Sequence, residues 1–152
     1  MNKFLTTLLA VLLLVSFSSA LYAYDDDTEV LLETIGALSA QDLYLTYSSI
    51  GSTIDAWCFE AYTDEETVDM LLEFVSMCEA VSDQLTILLH SDIMNSEDIA
   101  FVSEIVDAFG ILIDEGEAAI NFIETGEESY LDRFEVKRNK AWDKIADLLD
   151  LE

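Results

Sequence analysis

Residues 63–90 read TDEETVDMLLEFVSMCEAVSDQLTILLH. Val68, Leu71, Leu72, Val75, Cys78, Leu85 and Leu89, with Ser82 in the same row, recur at spacings of three and four. That is the period of a helix with one apolar face, and it lasts too long for a strand. Thr63 with Glu66 three residues on reads as a capping box, and Asp64 and Glu65 suit the positive end of the helix dipole. The pattern predicts a helix from Thr63 that stops near His90.

Two further runs follow with the same period. One opens at Ser96 as N-cap and repeats through Ile99, Val102, Ile105, Val106, Phe109, Ile113, Ile120 and Ile123 to Gly126, a C-cap residue. The last places Tyr130, Phe134, Ala141, Ile145 and Leu148 on one face. Upstream, a single helix over residues 28–62 would span roughly 50 Å at 1.5 Å per residue, longer than its partners. A break is therefore expected at Ser39, which forms a second capping-box pattern with Asp42. There is no proline, no internal repeat and no low-complexity linker. The fold class is all-α: an antiparallel up-down bundle of about four helices, the first long or broken near Ser39.

The amino-terminal residues have a different character. Lys3 is followed by a leucine-rich run from Phe4 to Val15 and by small residues through Ser16, Ser18, Ser19 and Ala20. That order is the order of a secretory leader, with cleavage after Ala20 or Ala23. The expected organisation is a leader at residues 1–23, an acidic tail at 24–27 and one bundle domain at 28–152. The expected destination is export, to a periplasm or the extracellular space. The apolar run is short for a membrane span, so no membrane insertion is expected once the leader is removed.

Charge is distributed as unevenly as it is large. The formal net charge is −26, and from Asp25 to Asp132 there are 27 acids with no lysine or arginine. Nucleic acid and anionic lipid are poor partners for such a surface. The frequent Leu, Ile, Val and Phe nonetheless separate this chain from disordered acidic tails. All five bases after Lys3 fall in one stretch: Arg133, Lys137, Arg138, Lys140 and Lys144. At 100° per residue, Arg133, Lys137, Lys140 and Lys144 form a strip beside the apolar stripe of the last helix. A turn near Glu127 would bring Lys137 level with Glu117 and set Arg133 between Glu117 and Glu124. Those four residues are the candidate ion-pair seam.

Other constellations are thin. His90 is the only histidine, position 87 is Ile rather than the glutamate of a Glu-x-x-His pair, and no haem-attachment or phosphate-loop motif is present. No catalytic, cofactor or metal residues are assigned, and loose association of divalent cations with the acidic tail is the most that the carboxylates suggest. Cys58 and Cys78 are the one candidate disulfide. A tight turn at Thr63 would separate them by roughly 15 Å along the helix axes, where a disulfide needs Cα atoms within about 7 Å. Either the segment from Asp55 to Glu66 is not a tight hairpin, or the thiols stay apart. Finally, residues 43–61 carry only Asp55 and Glu60 as charges. Tyr44, Tyr47, Ser48, Ser52 and Trp57 are the candidate binding face within them, for a protein partner or a second copy of the chain. The expected function is non-catalytic binding by an exported acidic bundle. The contrasting expectations are an acidic protein adapted to salt or to divalent cations and, more remotely, a carboxylate-based enzyme.

Overall fold

In a computed structural model of the chain the backbone is described for residues 3–151 and the side chains for residues 27–151. The expected leader at residues 1–23, with its two cleavage sites, lies outside the described side chains, as do Tyr24, Asp25 and Asp26 of the tail. Four helices follow one another: α1 (Lys3–Cys58), α2 (Asp64–Leu89), α3 (Ser96–Thr125) and α4 (Glu128–Leu149). No strand occurs among the described residues. The chain divides into two units, Met1–Ile35 and Gly36–Glu152. In the first, the Thr34 hydroxyl donates to the Val30 carbonyl at 2.8 Å, a bond within the helix. The second holds the rest of α1 with α2, α3 and α4, packed as a helical bundle. It begins two turns after residue 28, where the domain was expected to start.

The helix ends follow local chemistry. At α2 the predicted box forms in both directions: the Glu66 N–H donates to Thr63 Oγ1 at 3.3 Å and the Thr63 N–H to Glu66 Oε2 at 2.9 Å. These bonds favour the ionised acid and hold the Glu66 carboxyl below its ordinary range. His90 is the C-cap of this helix. At α3 the cap is Asn95 rather than the expected Ser96, since Asn95 Oδ1 accepts from the N–H groups of both Glu97 and Asp98. Gly126 closes α3 in the left-handed conformation, φ 70°, which costs a glycine little.

The expected break at Ser39 is absent, and α1 runs through it. Ser39 is 7% exposed and shares the buried face of α1 with Ala40, Leu43, Thr46, Ile50 and Thr53. Starting a new helix there would strand first-turn N–H groups that the continuous helix satisfies, and would pull Ser39 out of the core. With no proline to force a stop, packing decides for continuity.

The core is built from Leu43 and Ile50 of α1, Leu71 and Cys78 of α2, Ile105, Phe109 and Leu112 of α3, and Ile145 of α4, all essentially sealed from solvent. Gly116 lets α2 approach α3, for a Cβ there would stand 2.6 Å from Val75 Cγ2. Contact order gives the helix directions. Gly36 meets Phe101 and Trp57 meets Phe122, so α1 and α3 run parallel. Tyr47 meets Trp142 and Gly51 meets Arg138, so α1 and α4 run opposed.

Candidate functional site

The clearest chemistry lies inside the bundle. Glu115 sits on α3 with Ile111, Leu112, Ala118 and Ala119, all buried, at its helical neighbour positions. Its own side chain is completely buried. Arg138 sits on the apolar stripe of α4 between Phe134 and Ala141, and its Nη1 donates to Glu115 Oε1 at 2.8 Å. Glu115 Oε2 is buried with no hydrogen-bond partner among the described residues. The same guanidinium lies over the ring of Tyr47, with Cζ 4.3 Å from the centroid, and Nη1 also reaches the Tyr47 carbonyl at 3.4 Å. Gly51, one turn further along α1, has no side chain to block it. One arginine thus ties α1, α3 and α4 together.

Burial dominates the electrostatics of this cluster. Loss of water pushes the Glu115 carboxyl up to about 7, although the hydrogen bond and charge of Arg138 pull the other way. Burial also pushes the Cys78 thiol up to about 12, helped by the negative charges of Asp42, Glu115 and Glu79. At neutral pH that thiol is protonated and a poor nucleophile. Tyr47 is raised by burial, with Arg138 opposing and Glu115 reinforcing, and Asp42 is raised by burial alone. The cluster therefore holds protons near neutrality rather than presenting an activated nucleophile.

The basic strip of α4 forms ion pairs, but with partners other than those expected. Arg133 and Lys137 both bond Asp114, and Lys144 bonds Glu104. Neither Glu117 nor Glu124 forms an ion pair among the described residues. The helix face explains the correction: Asp114 lies 60° around α3 from buried Ile111, whereas Glu117 lies 120° away and is exposed. Partners on α3 step back from Asp114 to Glu104 as α4 advances from Arg133 to Lys144, so these helices run opposed. The hydrogen bond from Lys137, then burial acting against it, and then the charges of Lys137 and Arg133 leave Asp114 below its ordinary range. A double-mutant cycle between Lys137→Ala and Asp114→Asn should show coupling of under about 1 kcal/mol, as expected for partly exposed partners. The same cycle with Glu117→Gln should show none. Beside these pairs an open groove of about 590 Å³ carries Lys137, Lys140 and Lys144 against Asp107, Asp114 and Asp143.

The candidate face of α1 is divided by the fold. Tyr47 turns inward to Arg138 and meets Trp142 at a tilt of 36°, ring centroids 5.6 Å apart. Trp57 meets Phe122 edge-on at 6.0 Å, and its Nε1 donates to Asp64 Oδ1 at 2.7 Å. Tyr44 and Ser52 face solvent and Ser48 is half-buried. Leu38 and Leu45, absent from the expected face, are exposed beside Tyr44 at 61% and 52%, and Phe59 is 84% exposed beyond the helix end. Cys58 and Cys78 are both free thiols, the first exposed and the second buried. The turn between Cys58 and Asp64 is the cause, because Cys78 lies 14 residues, roughly 21 Å, into α2.

Among the described residues no group of His, Cys, Asp or Glu could hold a metal ion, and no helix is long and apolar enough to cross a membrane. Comparison with protein-family models, with curated proteins and with solved structures finds no match to this chain. Fold and site together define an acidic all-α helical bundle with a buried glutamate–arginine tie.

Proposed function

We propose that this protein acts by binding, without catalysis, and that it docks a cationic amphipathic segment of a partner protein along the outer face of α1. The observation that carries this reading is the exposure of Leu38 and Leu45, seven residues and about 20° apart on one face of α1, in a chain whose formal net charge is −26. From Gly36 to Ile54 the only charged residue is Asp42, which is half-buried. An uncharged apolar strip framed by a strongly acidic surface complements a segment with apolar residues on one face and lysines or arginines at its edges. Long-range attraction would bring such a segment in, and the strip would hold it. Export of the protein belongs to the same proposal, on the strength of Lys3, the leucine run and the small residues up to Ala20.

The test is titration of the chain with a fluorescent helical peptide built of leucine and lysine. Saturable binding is expected, weakened by 1 M salt. Leu45→Asp makes the protein more acidic, so attraction by charge alone would tighten the complex, whereas docking on the strip predicts at least tenfold weaker binding. Met77→Asp, an exposed apolar position on α2, should leave affinity nearly unchanged. Equal or tighter binding by Leu45→Asp would remove the strip from consideration.

A further inference from the structure

Glu115 brings a full negative charge into a place that offers it one donor. Facing it are Arg138 from α4, Tyr47 from α1 and Cys78 from α2, with Asp42 and Glu79 acting on the same Cys78 thiol. Only Arg138 is positive. Its side chain is 30% exposed, so the guanidinium has a route to water that Glu115 lacks. Its seat over Tyr47 is open only because position 51 is glycine. Each structural carboxylate elsewhere in the α3–α4 contact keeps some access to solvent, Asp114 at 36% and Glu104 at 53%. Glu115 alone among them has none.

We propose that the Glu115–Arg138 contact is a proton-operated latch: a proton taken from solvent onto the unpartnered Oε2 neutralises Glu115, leaves the guanidinium as an uncompensated positive charge and frees Arg138 from its seat on Tyr47. The driving force is solvation. While Glu115 is ionised, Arg138 is the only group that compensates it, and the guanidinium is held inside by charge. Once Glu115 is neutral, the half-buried guanidinium has lost its counter-charge and is better solvated when it swings out through its exposed edge. The tie between α1 and α4 then keeps the Tyr47–Trp142 ring contact but loses the cation on Tyr47. Because burial raises this carboxyl to about 7, the change falls in the neutral range. Tyr47 and Cys78 titrate far above it. Asp42 is raised by burial, yet it forms no hydrogen bond or ion pair with Arg138 among the described residues. The latch stands independently of docking on α1, since it concerns the inner face of that helix.

The chain has two arginines, Arg133 and Arg138, which makes a direct reading practical. Carbon-detected NMR of the full chain follows the two arginine Cζ signals, assigned with Arg133→Lys, together with the Glu115 side-chain carboxyl from pH 8.5 to 4.5. The expected result is that Glu115 and Arg138 Cζ shift together with a common midpoint near 7, while Arg133 does not share the step. In Glu115→Gln the Arg138 step should vanish. A Glu115 midpoint near its ordinary 4.5, an Arg138 signal that ignores the Glu115 step, or an Arg138 step that persists in Glu115→Gln would each overturn the proposal. Should Glu115→Gln fail to fold, co-titration in the unaltered chain decides by itself.

Discussion

Arg138→Met should destabilise the bundle more at pH 8 than at pH 5, by roughly 1 kcal/mol, the worth of one pH unit above a Glu115 midpoint near 7. Methionine keeps most of the apolar stem of the arginine, so the loss measures charge rather than volume. Removing one partner of a buried pair strands the other, which typically costs 3–5 kcal/mol, whereas replacing both by apolar residues is often neutral. The double variant Arg138→Met with Glu115→Leu should therefore recover most of the stability. The pH dependence follows from linkage. Glu115 is raised to about 7 in the folded chain, so its contribution to stability is fully present below the unfolded value near 4.5 and is lost as pH rises through 7. At pH 5 it is protonated in the folded state and the absent arginine matters less. Asp114 works in the opposite sense: its depressed carboxyl contributes above its ordinary range and loses that contribution as pH falls through the folded value. Urea melts of the variants at the two pH values provide the measurement. A loss equal at pH 8 and pH 5 would assign Arg138 to packing on Tyr47 rather than to charge.

Gly51→Ala is the second large effect, and its sign depends on whether Arg138 can move. In an ordinary helix interior, alanine for glycine gains about 1 kcal/mol from propensity. At position 51 the new Cβ would stand 2.6 Å from Arg138 Cζ and collide with Nη2. Arginine is flexible, but here Glu115 Oε1 and the Tyr47 ring fix its end. Overpacking of this kind costs roughly 1–3 kcal/mol. The expected result is a net loss in the unaltered background and a net gain when Gly51→Ala is combined with Arg138→Met and Glu115→Leu. A gain in both backgrounds would show that the guanidinium steps aside freely.

Much of the bundle was legible residue by residue. The α2 helix, the Thr63–Glu66 box and the Gly126 cap are local features, and the structure forms each of them where it was expected; of the α2 stripe, Leu71, Val75, Cys78 and Leu85 are buried, whereas Leu72 is exposed and Thr67 takes its place in the core. The interior pair was also legible in principle. Arg138 lies four residues after Phe134 and three before Ala141, and Glu115 lies amid Ile111, Leu112, Ala118 and Ala119. A charged residue on an apolar stripe is the signal of a buried pair. Arg133, Lys137, Lys140 and Lys144 flank the apolar stripe of α4, whereas Arg138 interrupts it. Partner choice turned on the helix face as well: Glu117 matched Lys137 in height along the axis, but Asp114 is on the facing side.

For α1 the sequence was ambiguous because both of its faces are apolar. Leu43 and Ile50 enter the core while Leu38 and Leu45 do not, and nothing in their chemistry distinguishes the two pairs. Periodicity within the chain determined the last three helices, the Thr63 and Gly126 caps and the four-helix class, since those depend on neighbours three and four residues away. It also determined the concentration of every base after Lys3 in the last helix. Which face of α1 meets the bundle, that Ser39 continues a helix rather than starting one and that Asp114 takes two cations were decided by the tertiary structure alone. Those outcomes depend on how side chains from separate helices share one buried volume, and no spacing along a single helix encodes that.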